Sequence, residues 1–294
     1  MMKRVLLYAR HVQPDYLTSV EYLLLCFKKY GWEAAASANL AEFIQAHNLD
    51  LPLTIIMDNQ QLKDWGPDMV LTLGGDGTIL GATCLIRELE TPIIGVNLGR
   101  LGFLAAVEKK NIDQSLEQVA EGRYQVESRS MLTVHSDPDI FGDLNFALND
   151  FAVHKRDTSS MISIHTYLDG DYLNSYWADG LIIATPTGST GYSLSCGGPI
   201  VFPGSGNMVM TAVAPHNLNV RSLIISDASE ITIEVEGRTK NFLATLDSRY
   251  QKVTADHKLT LKKCHFSTKL IRLHGQSFRE TIQEKLSWGK DKRN

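Results

Sequence analysis

Residues 69–73, MVLTL, form a short apolar run that ends in GGDGT, residues 74–78. A buried strand, a glycine turn and a helix starting near Thr78 are the simplest reading of this stretch. It commits the chain to a strand–turn–helix unit, and the same alternation recurs around it. Residues 5–9 read as a strand. Residues 16–30 follow as a helix, with Leu17, Val20, Leu24 and Phe27 at helical spacing and Gly31 as its stop. Residues 33–37 read as a second strand, 78–89 as a helix, 92–96 (PIIGV) as another buried strand and 111–121 as a helix ended by Gly122. Short continuous apolar strands alternating with helices predict a parallel sheet covered on both faces.

The pattern changes near Tyr124. SMISIHTYLDGDYLNSYW (160–177) alternates with period two around Asp169-Gly170, a hairpin turn pair. EITIEVEGRTKNFLATL (230–246) reads as a second hairpin and KLTLKKC (258–264) as a further strand, so residues 124–273 are expected to be mainly antiparallel β. Residues 277–288 return to helical spacing through Phe278, Ile282 and Leu286. A terminal helix must bury that face, and packing back on the α/β half is the expected solution. The domains expected are therefore 1–128 completed by 275–294, and 129–274. At ~150 residues per domain, a chain of 294 suits two.

The formal net charge is −4, so no global basic field points to nucleic acid or an anionic membrane. No stretch is long and apolar enough to span a bilayer, and residues 1–16 lack a signal-peptide core. Cys26, Cys84, Cys196 and Cys264 lie far apart without metal spacing, as expected of reduced thiols in a cytoplasmic protein.

GGDGT poses a chemical question. A helix N-terminus and glycine N–H groups attract anions, yet Asp76 puts a negative charge among them. Asp is a good helix cap, but a neutral cap would serve without repelling phosphate. A carboxylate beside phosphates either holds Mg²⁺ or accepts a hydrogen from an attacking hydroxyl. Both uses predict phosphoryl transfer. The chain has no GxxxxGK[ST] P-loop, no well-placed GxGxxG and no GxSxG nucleophile elbow. The block 178–200, ADGLIIATPTGSTGYSLSCGGPI, puts a hydroxyl- and glycine-rich turn after an apolar strand. It suits a ligand with many hydroxyls and acceptors, or an elaborate surface loop. In FALNDFAVHK (146–155), Asn149-Asp150 interrupts an apolar strand and reads as polar groups placed on a β edge for a ligand to satisfy. NLGRLGFL (97–104) should lie with GGDGT beyond the carboxyl ends of the strands, where its Arg100 could neutralise phosphate. His154, Lys155 and Arg156 form a small basic run.

Together, GGDGT, NLGRLGFL, LND (148–150), the 179–199 block, APHNLNVRSLII (214–225) and the closing KLSWGK (285–290) resemble the NAD kinase family over nearly the whole chain. GGDG loops occur also in lipid kinases and phosphofructokinases; TPTGSTGYS and APHNL are what single out this family. The resemblance implies a Rossmann-like α/β N-terminal domain of the NAD kinase/diacylglycerol kinase type, a β-rich C-terminal domain and a C-terminal helix returning to the first. It implies transfer of the γ-phosphoryl of ATP to the 2′-hydroxyl of the adenosine ribose of NAD, with Mg²⁺ or another divalent cation, in a homodimer or homotetramer. Asp76 takes the catalytic position. The dinucleotide contacts implied fall on Asp76, Gly77, Phe103, Asn149, Asp150, Trp177, Asp179, Thr187, Thr190, Gly191, Tyr192, Ser193, Leu194, Ser195, Ala214, His216 and Arg249, with Tyr192 as the stacking ring. Asp179 is the aspartate that family members often supply across a subunit interface. Departures from the family pattern are Asp150 for a common Glu, Gly191 for Ala and Arg249 for Gln. Trp177 stands where Arg or Gly is frequent and bears on NAD versus NADH choice. Thr78 stands where ATP-restricted relatives have Asn. The alternatives are a lipid kinase, which would need an apolar acceptor pocket, and a non-catalytic NAD(P) sensor, which would gain nothing from Asp76.

Overall fold

The computed structural model describes residues 3–49, 53–99, 102–105, 107–156, 160–238 and 240–288. The chain divides into two compact units, Met1–Ser128 with Thr268–Asn294, and Arg129–Ser267.

The first unit is an α/β sheet. Its strands run in the order Thr54–Ile56, Glu33–Ser37, Arg4–Tyr8, Met69–Leu73, Ile93–Asn97, Thr268–Leu273, Tyr124–Arg129, and Val107–Glu108 pairs with Ile93–Asn97. The pairings from Thr54–Ile56 through to Thr268–Leu273 are parallel. All five residues of Met69–Leu73 and of Ile93–Asn97 are buried, because helices cover both faces. That is why these strands read as unbroken apolar runs rather than alternating ones. The helix Leu17–Tyr30 buries Val20, Leu23, Leu24 and Phe27 and stops at Gly31, whose φ of 65° favours a residue without a Cβ.

Three elements of this unit escaped the periodicity. Ala38–Ala46 is helical, Thr54–Ile56 is a three-residue edge strand, and Asn59–Trp65 is a short helix capped by Asp58, which accepts from the Gln61 N–H at 2.8 Å. The return to this unit begins at Thr268, before the 275 expected from sequence, because Thr268–Leu273 pairs parallel to Ile93–Asn97. The terminal helix Phe278–Lys285 starts with a reciprocal capping box between Ser277 and Glu280 and buries Ile282. It borders a cleft shared with Gly102, Glu108 and Asn111, so it lies on the α/β unit as expected. Residues 289–294, and with them the end of KLSWGK, lie outside the described residues.

The second unit is built from two antiparallel six-stranded sheets. One runs Leu223–Ser226, Asn207–Val213, Gly180–Ala184, Asp150–Lys155, Phe242–Leu246, Arg249–Val253. The other runs Asp171–Ala178, Ile162–Leu168, Ile231–Glu236, Lys258–Lys263, Leu132–Asp137, Phe146–Ala147. Phe151, Val153, Leu181, Ile183 and Phe242 of the first share one core with Val134, Ile164, Ile233 and Leu261 of the second. The Asp169-Gly170 hairpin forms as expected, with both residues at positive φ, 53° and 91°, in a two-residue turn.

Two expectations fail here. Residues 230–246 are not a hairpin. Ile231–Glu236 pairs in one sheet and Phe242–Leu246 in the other, so the chain crosses between sheets at 237–241. Both strands alternate, and alternation reports a buried face without reporting which sheet that face belongs to. Asp150–Lys155 is not an edge strand either: it lies between Gly180–Ala184 and Phe242–Leu246.

Candidate functional site

In the first unit, the chain leaves Met69–Leu73 through Gly74, whose φ is 139° and whose N–H bonds to the Val96 carbonyl at 2.9 Å. A Cβ at Gly74 would overlap the Thr78 side chain, so the turn needs glycine there and Thr78 is buried over it. Gly75 caps the helix Asp76–Ile86, and Asp76 is its first residue. The Asp76 carboxylate accepts three backbone hydrogen bonds from the loop after Ile93–Asn97. The Phe103 N–H reaches Oδ2 at 2.8 Å, and the Leu104 and Ala105 N–H groups reach Oδ1 at 3.0 and 3.1 Å. A carboxylate has about four acceptor sites, so Oδ2 keeps one. Gly102 is pressed so close that a Cβ there would overlap the carboxylate. Nothing lies within 4 Å of where a Cβ on Gly77 would stand. GGDGT and NLGRLGFL therefore share a crevice at the carboxyl ends of the strands, and Phe103 contributes its N–H to it. Arg100 lies outside the described residues.

In the second unit, Asn149-Asp150 sits where the chain crosses from Phe146–Ala147 in one sheet to Asp150–Lys155 in the other. The segment is clamped by a residue the sequence did not single out. Asp247, its side chain 4% exposed, accepts the N–H groups of Leu148, Asn149 and Asp150 at 3.0, 2.8 and 3.3 Å. No local motif could have flagged it, since it is 97 to 99 residues from its partners. Burial pushes the Asp150 carboxyl up to about 7, helped by the negative charge of Asp247. Burial raises Asp247 too, and the three N–H groups and Arg249 pull it back. The N–H groups and Arg249 thus favour the charged form of Asp247, while burial favours the neutral form of Asp150. Arg249 donates to the carbonyls of Leu144 and Phe146 and stands 4.0 Å from Asp247. Its guanidinium braces this crossing, with its side chain 23% exposed.

The hydroxyl-rich block packs as a lid rather than a surface loop. Gly180–Ala184 is buried on both faces: Leu181 and Ile183 enter the inter-sheet core, while Ile182 and Ala184 meet Val201 and Cys196 on the far side. Residues 185–201 cover that far side, and the block's hydroxyls divide. Thr185 donates to the Leu148 carbonyl at 2.6 Å, Ser189 to the Pro186 carbonyl at 2.7 Å, and Ser193 shares a 2.9 Å hydrogen bond with Thr211. These are fully buried and structural. The Ser193 side chain is therefore turned into the protein. Thr187 is buried too, with the Arg129 guanidinium 3.4 Å from its hydroxyl. Thr190, Gly191, Tyr192, Leu194 and Ser195 line the open side. Tyr192 is 43% exposed, its ring centroid 5.5 Å from His154, and a Cβ on Gly191 would stand 3.8 Å from Asp150 Oδ2. Tyr192 thus lies near Asp150: burial raises its hydroxyl, and the charge of Asp150 helps.

Nearby, Lys155 pairs with Asp179 at 2.6 Å, and burial holds His154 below the usual histidine range against the pull of Asp179. Exposed Trp177 packs on His216 at 4.3 Å between ring centroids, and the His216 N–H bonds to the Trp177 carbonyl at 2.9 Å. Ala214 is exposed with φ 44°. Trp177 and Asp179 thus lie against the segment that carries Ala214 and His216, the Asp179 N–H bonding to the Val213 carbonyl at 2.9 Å.

Gly188 joins lid and clamp. A Cβ on it would overlap the backbone carbonyl of Asn149, which also accepts the Thr185 N–H at 2.8 Å. Backbone cannot yield as a side chain does. Gly188→Ala should destabilise the protein by about 1–3 kcal/mol, read as a lower denaturation midpoint; an unchanged midpoint would refute the close packing.

Among the described residues no group of three or more His, Cys, Asp or Glu is placed to hold a metal ion. No helix among them is long and apolar enough to cross a membrane.

Comparison with known proteins accords with this geometry. The ATP-NAD kinase N-terminal domain family matches residues 28–124, and the ATP-NAD kinase C-terminal domain family matches residues 148–273. An NAD kinase of Cytophaga hutchinsonii is 43% identical over 288 residues, 98% of this chain and 99% of that protein. An NAD kinase of Bacteroides fragilis is 41% identical over 272 residues, 92% of this chain and 93% of that one. In fold, the chain is similar to a yeast NADH kinase solved with NADH, with TM-score 0.86 and 24% identity over 99% of this chain and 89% of that one.

Proposed function

The chain belongs to the NAD kinase family, and on that premise we propose that it transfers the γ-phosphoryl group of ATP to the 2′-hydroxyl of the adenosine ribose of NAD, giving NADP and ADP. The new bond joins the ribose oxygen to the γ-phosphorus, the β–γ bridging bond breaks toward ADP, and the hydroxyl loses its proton. The observation that carries this reading is Asp76. Three backbone N–H groups fix its carboxylate and leave one acceptor site on Oδ2, at the mouth of a helix N-terminus. Such a group aims an attacking hydroxyl and accepts its hydrogen, while the helix end favours the donor's phosphates. A lipid acceptor has nothing to match in the polar groups of Asn149, Asp150, Thr190 and Tyr192, and a passive sensor has no use for a fixed anion among phosphates.

Asn149, Asp150, Thr190, Gly191, Tyr192, Leu194 and Ser195 are proposed to bind the dinucleotide, with Trp177, Asp179, Ala214 and His216 at its rim and Gly77 and Phe103 beside Asp76. Mg²⁺, commonly held by one or two carboxylates plus substrate phosphates, is proposed to accompany the donor. It would neutralise phosphate charge there, and the protein's part is to orient both substrates. A homo-oligomer, in which Asp179 serves a neighbouring site, is proposed with it. The deciding experiment is formation of NADP from NAD, ATP and Mg²⁺, repeated with NADH and with polyphosphate; absence of NADP with every donor would refute the reading.

Asp150 gives this function a pH signature. A ligand hydroxyl donating to Asp150 favours the charged carboxylate. Binding NAD near pH 6 should therefore release close to one proton, and affinity should rise with pH up to about 7, where Asp150 ionises without ligand. Titration calorimetry in buffers of different ionisation enthalpy measures this, and Asp150→Asn should abolish the release. The unliganded protein should behave in the opposite sense. Because the folded carboxyl is raised, the stability it contributes is full below the unfolded value near 3.8 and is lost as pH rises through about 7.

A further inference from the structure

The strands Ile162–Leu168 and Asp171–Ala178 of the second unit pair antiparallel through the Asp169-Gly170 turn, and their register carries a bulge. Residues 162–166 face 178–174 one for one; then Tyr167 faces Tyr172, which leaves Leu173 as an extra residue on the second strand. In a regular strand, residues three apart point to opposite faces. The bulge lifts that constraint. Tyr172 and Ser175 come out on the same face, and their hydroxyls meet at 2.9 Å. Bulges are over-represented beside active sites, where they re-aim a side chain.

That face is the outer one. Ile162, Ile164 and Tyr176 point into the inter-sheet core, which puts Ser163, His165 and Ser175 outside by alternation. Tyr172 and Ser175 are exposed, so a substrate reaches them. His165 stands directly opposite Ser175, and its Nδ1 lies 2.6 Å from the Ser175 oxygen. From the other side the strand Ile231–Glu236 brings a Glu236 carboxylate oxygen to 3.6 Å from His165 Nε2. One hydroxyl is thus held by an imidazole that a carboxylate faces from behind, with a second hydroxyl alongside. A nucleophile, a base within hydrogen-bond reach and a group that orients the base make a serine reactive, and such a set is recognised by geometry rather than by sequence position. No glycine elbow carries this serine; the register of three paired strands fixes the set.

We propose that Ser175, His165 and Glu236, with Tyr172, form a second catalytic site that hydrolyses small carboxylic esters through an acyl-serine. It is independent of the kinase reading. Neutral His165 with its hydrogen on Nε2, toward Glu236, leaves Nδ1 to take the Ser175 proton as the Ser175 oxygen bonds to the acyl carbon. The oxyanion formed accepts from the Tyr172 hydroxyl, and Glu236 stabilises the imidazolium. The ester C–O bond then breaks, and His165 gives its proton to the leaving alcohol. Water repeats the sequence on the acyl-serine, releasing the acid and restoring the Ser175 hydroxyl, so ester and water become acid and alcohol. Tyr167 and Tyr172, edge to face with ring centroids 5.9 Å apart, offer ring surface to an aromatic leaving group. Glu234, opposite His165, and Glu236 make the face negative, which selects neutral or cationic esters over anionic ones.

The wild-type protein should be labelled at Ser175 by an alkyl fluorophosphonate, the adduct located by peptide mass spectrometry, and should hydrolyse p-nitrophenyl acetate. Ser175→Ala should abolish both, and His165→Gln should slow both about 10²-fold, the low end for a positioned base. Glu236→Gln, at an exposed side chain, should slow both about fivefold, as the loss of an exposed ion pair. NADP formation should be unchanged in all three variants. Absence of a Ser175 adduct on the wild-type protein overturns the proposal and needs no variant to fold. So do an adduct on Tyr172 in place of Ser175, labelling without ester hydrolysis, labelling indifferent to His165→Gln, and hydrolysis that persists in Ser175→Ala. Loss of NADP formation together with hydrolysis, in a variant with an unchanged Tm, would assign the cluster to the kinase site and also overturns it.

Discussion

Asp76→Asn is expected to lower kcat for NADP formation by at least about 10²-fold, the lower bound for a positioned acid–base group. The substitution is isosteric and still not conservative, for a reason the geometry supplies. Oδ1 accepts from Leu104 and Ala105, and Oδ2 accepts from Phe103. An amide has one oxygen. If that oxygen keeps the two bonds of Oδ1, the amide nitrogen is left facing the Phe103 N–H, donor against donor. The cost of one orphaned N–H is about 1–3 kcal/mol. The segment from Gly102 to Ala105, pressed against the carboxylate, must then move. The variant thus loses the acceptor for the attacking hydroxyl and the loop that defines where it sits. Asp76→Ala removes the acceptor without adding a competing donor, so the two variants should share the rate loss and differ in loop order. The check is steady-state kcat and KM for NAD with thermal midpoints: kcat should fall far more than NAD binding weakens. Full-rate NADP synthesis by Asp76→Asn would remove Asp76 from the mechanism.

The second large effect is expected at Asp247, far in sequence from every motif. Asp247→Ala leaves the N–H groups of Leu148, Asn149 and Asp150 without their acceptor. At about 1–3 kcal/mol for each buried group, a loss of at least about 3 kcal/mol follows, or roughly 10 °C or more in Tm for a unit of this size. The segment released carries Asn149 and Asp150, so KM for NAD should rise while the fate of ATP at its own site changes little. Stability alone would not separate a scaffold from a positioning residue, and Asp247→Asn does. The asparagine keeps one acceptor oxygen and removes the charge that helps hold Asp150 up near 7. The other groups around Asp150 are Tyr192 and Cys196, each pushed up first by burial and further by Asp150, with Arg249 beyond Asp247. Asp150 should therefore ionise at lower pH in Asp247→Asn, and the pH at which NAD affinity levels off should move down with it. A lower Tm with an unmoved pH profile would reduce Asp247 to scaffolding.

Both residues show where sequence reading reaches its limit. Asp76 was legible because its partners in the turn are its neighbours: an apolar strand, flanking glycines and a following helix specify one local geometry. What that carboxylate touches was not legible, since the Phe103–Ala105 donors come from another strand's loop. The hydroxyl-rich block was found, but composition gave each Ser and Thr the same weight. Only packing turned Thr185, Ser189 and Ser193 inward and left Thr190, Tyr192 and Ser195 on the open side. That the Arg249 guanidinium meets the Leu144 and Phe146 carbonyls was not legible either.

By itself the sequence determined what depends on neighbours along the chain: the strand–turn–helix at GGDGT, the Asp169-Gly170 hairpin, the terminal helix, the change from α/β to β-rich style and the family to which these motifs belong. The tertiary structure alone decided which sheet each alternating strand joined. It sent Ile231–Glu236 and Phe242–Leu246 to different sheets, returned Thr268–Leu273 to the first unit and brought Asp247 to Asn149-Asp150. The physical reason is that a period of two or of 3.6 residues states only that a face will be buried. Which face meets it is settled by summed burial and by backbone groups finding partners across long loops, and those terms exist only once the chain has folded.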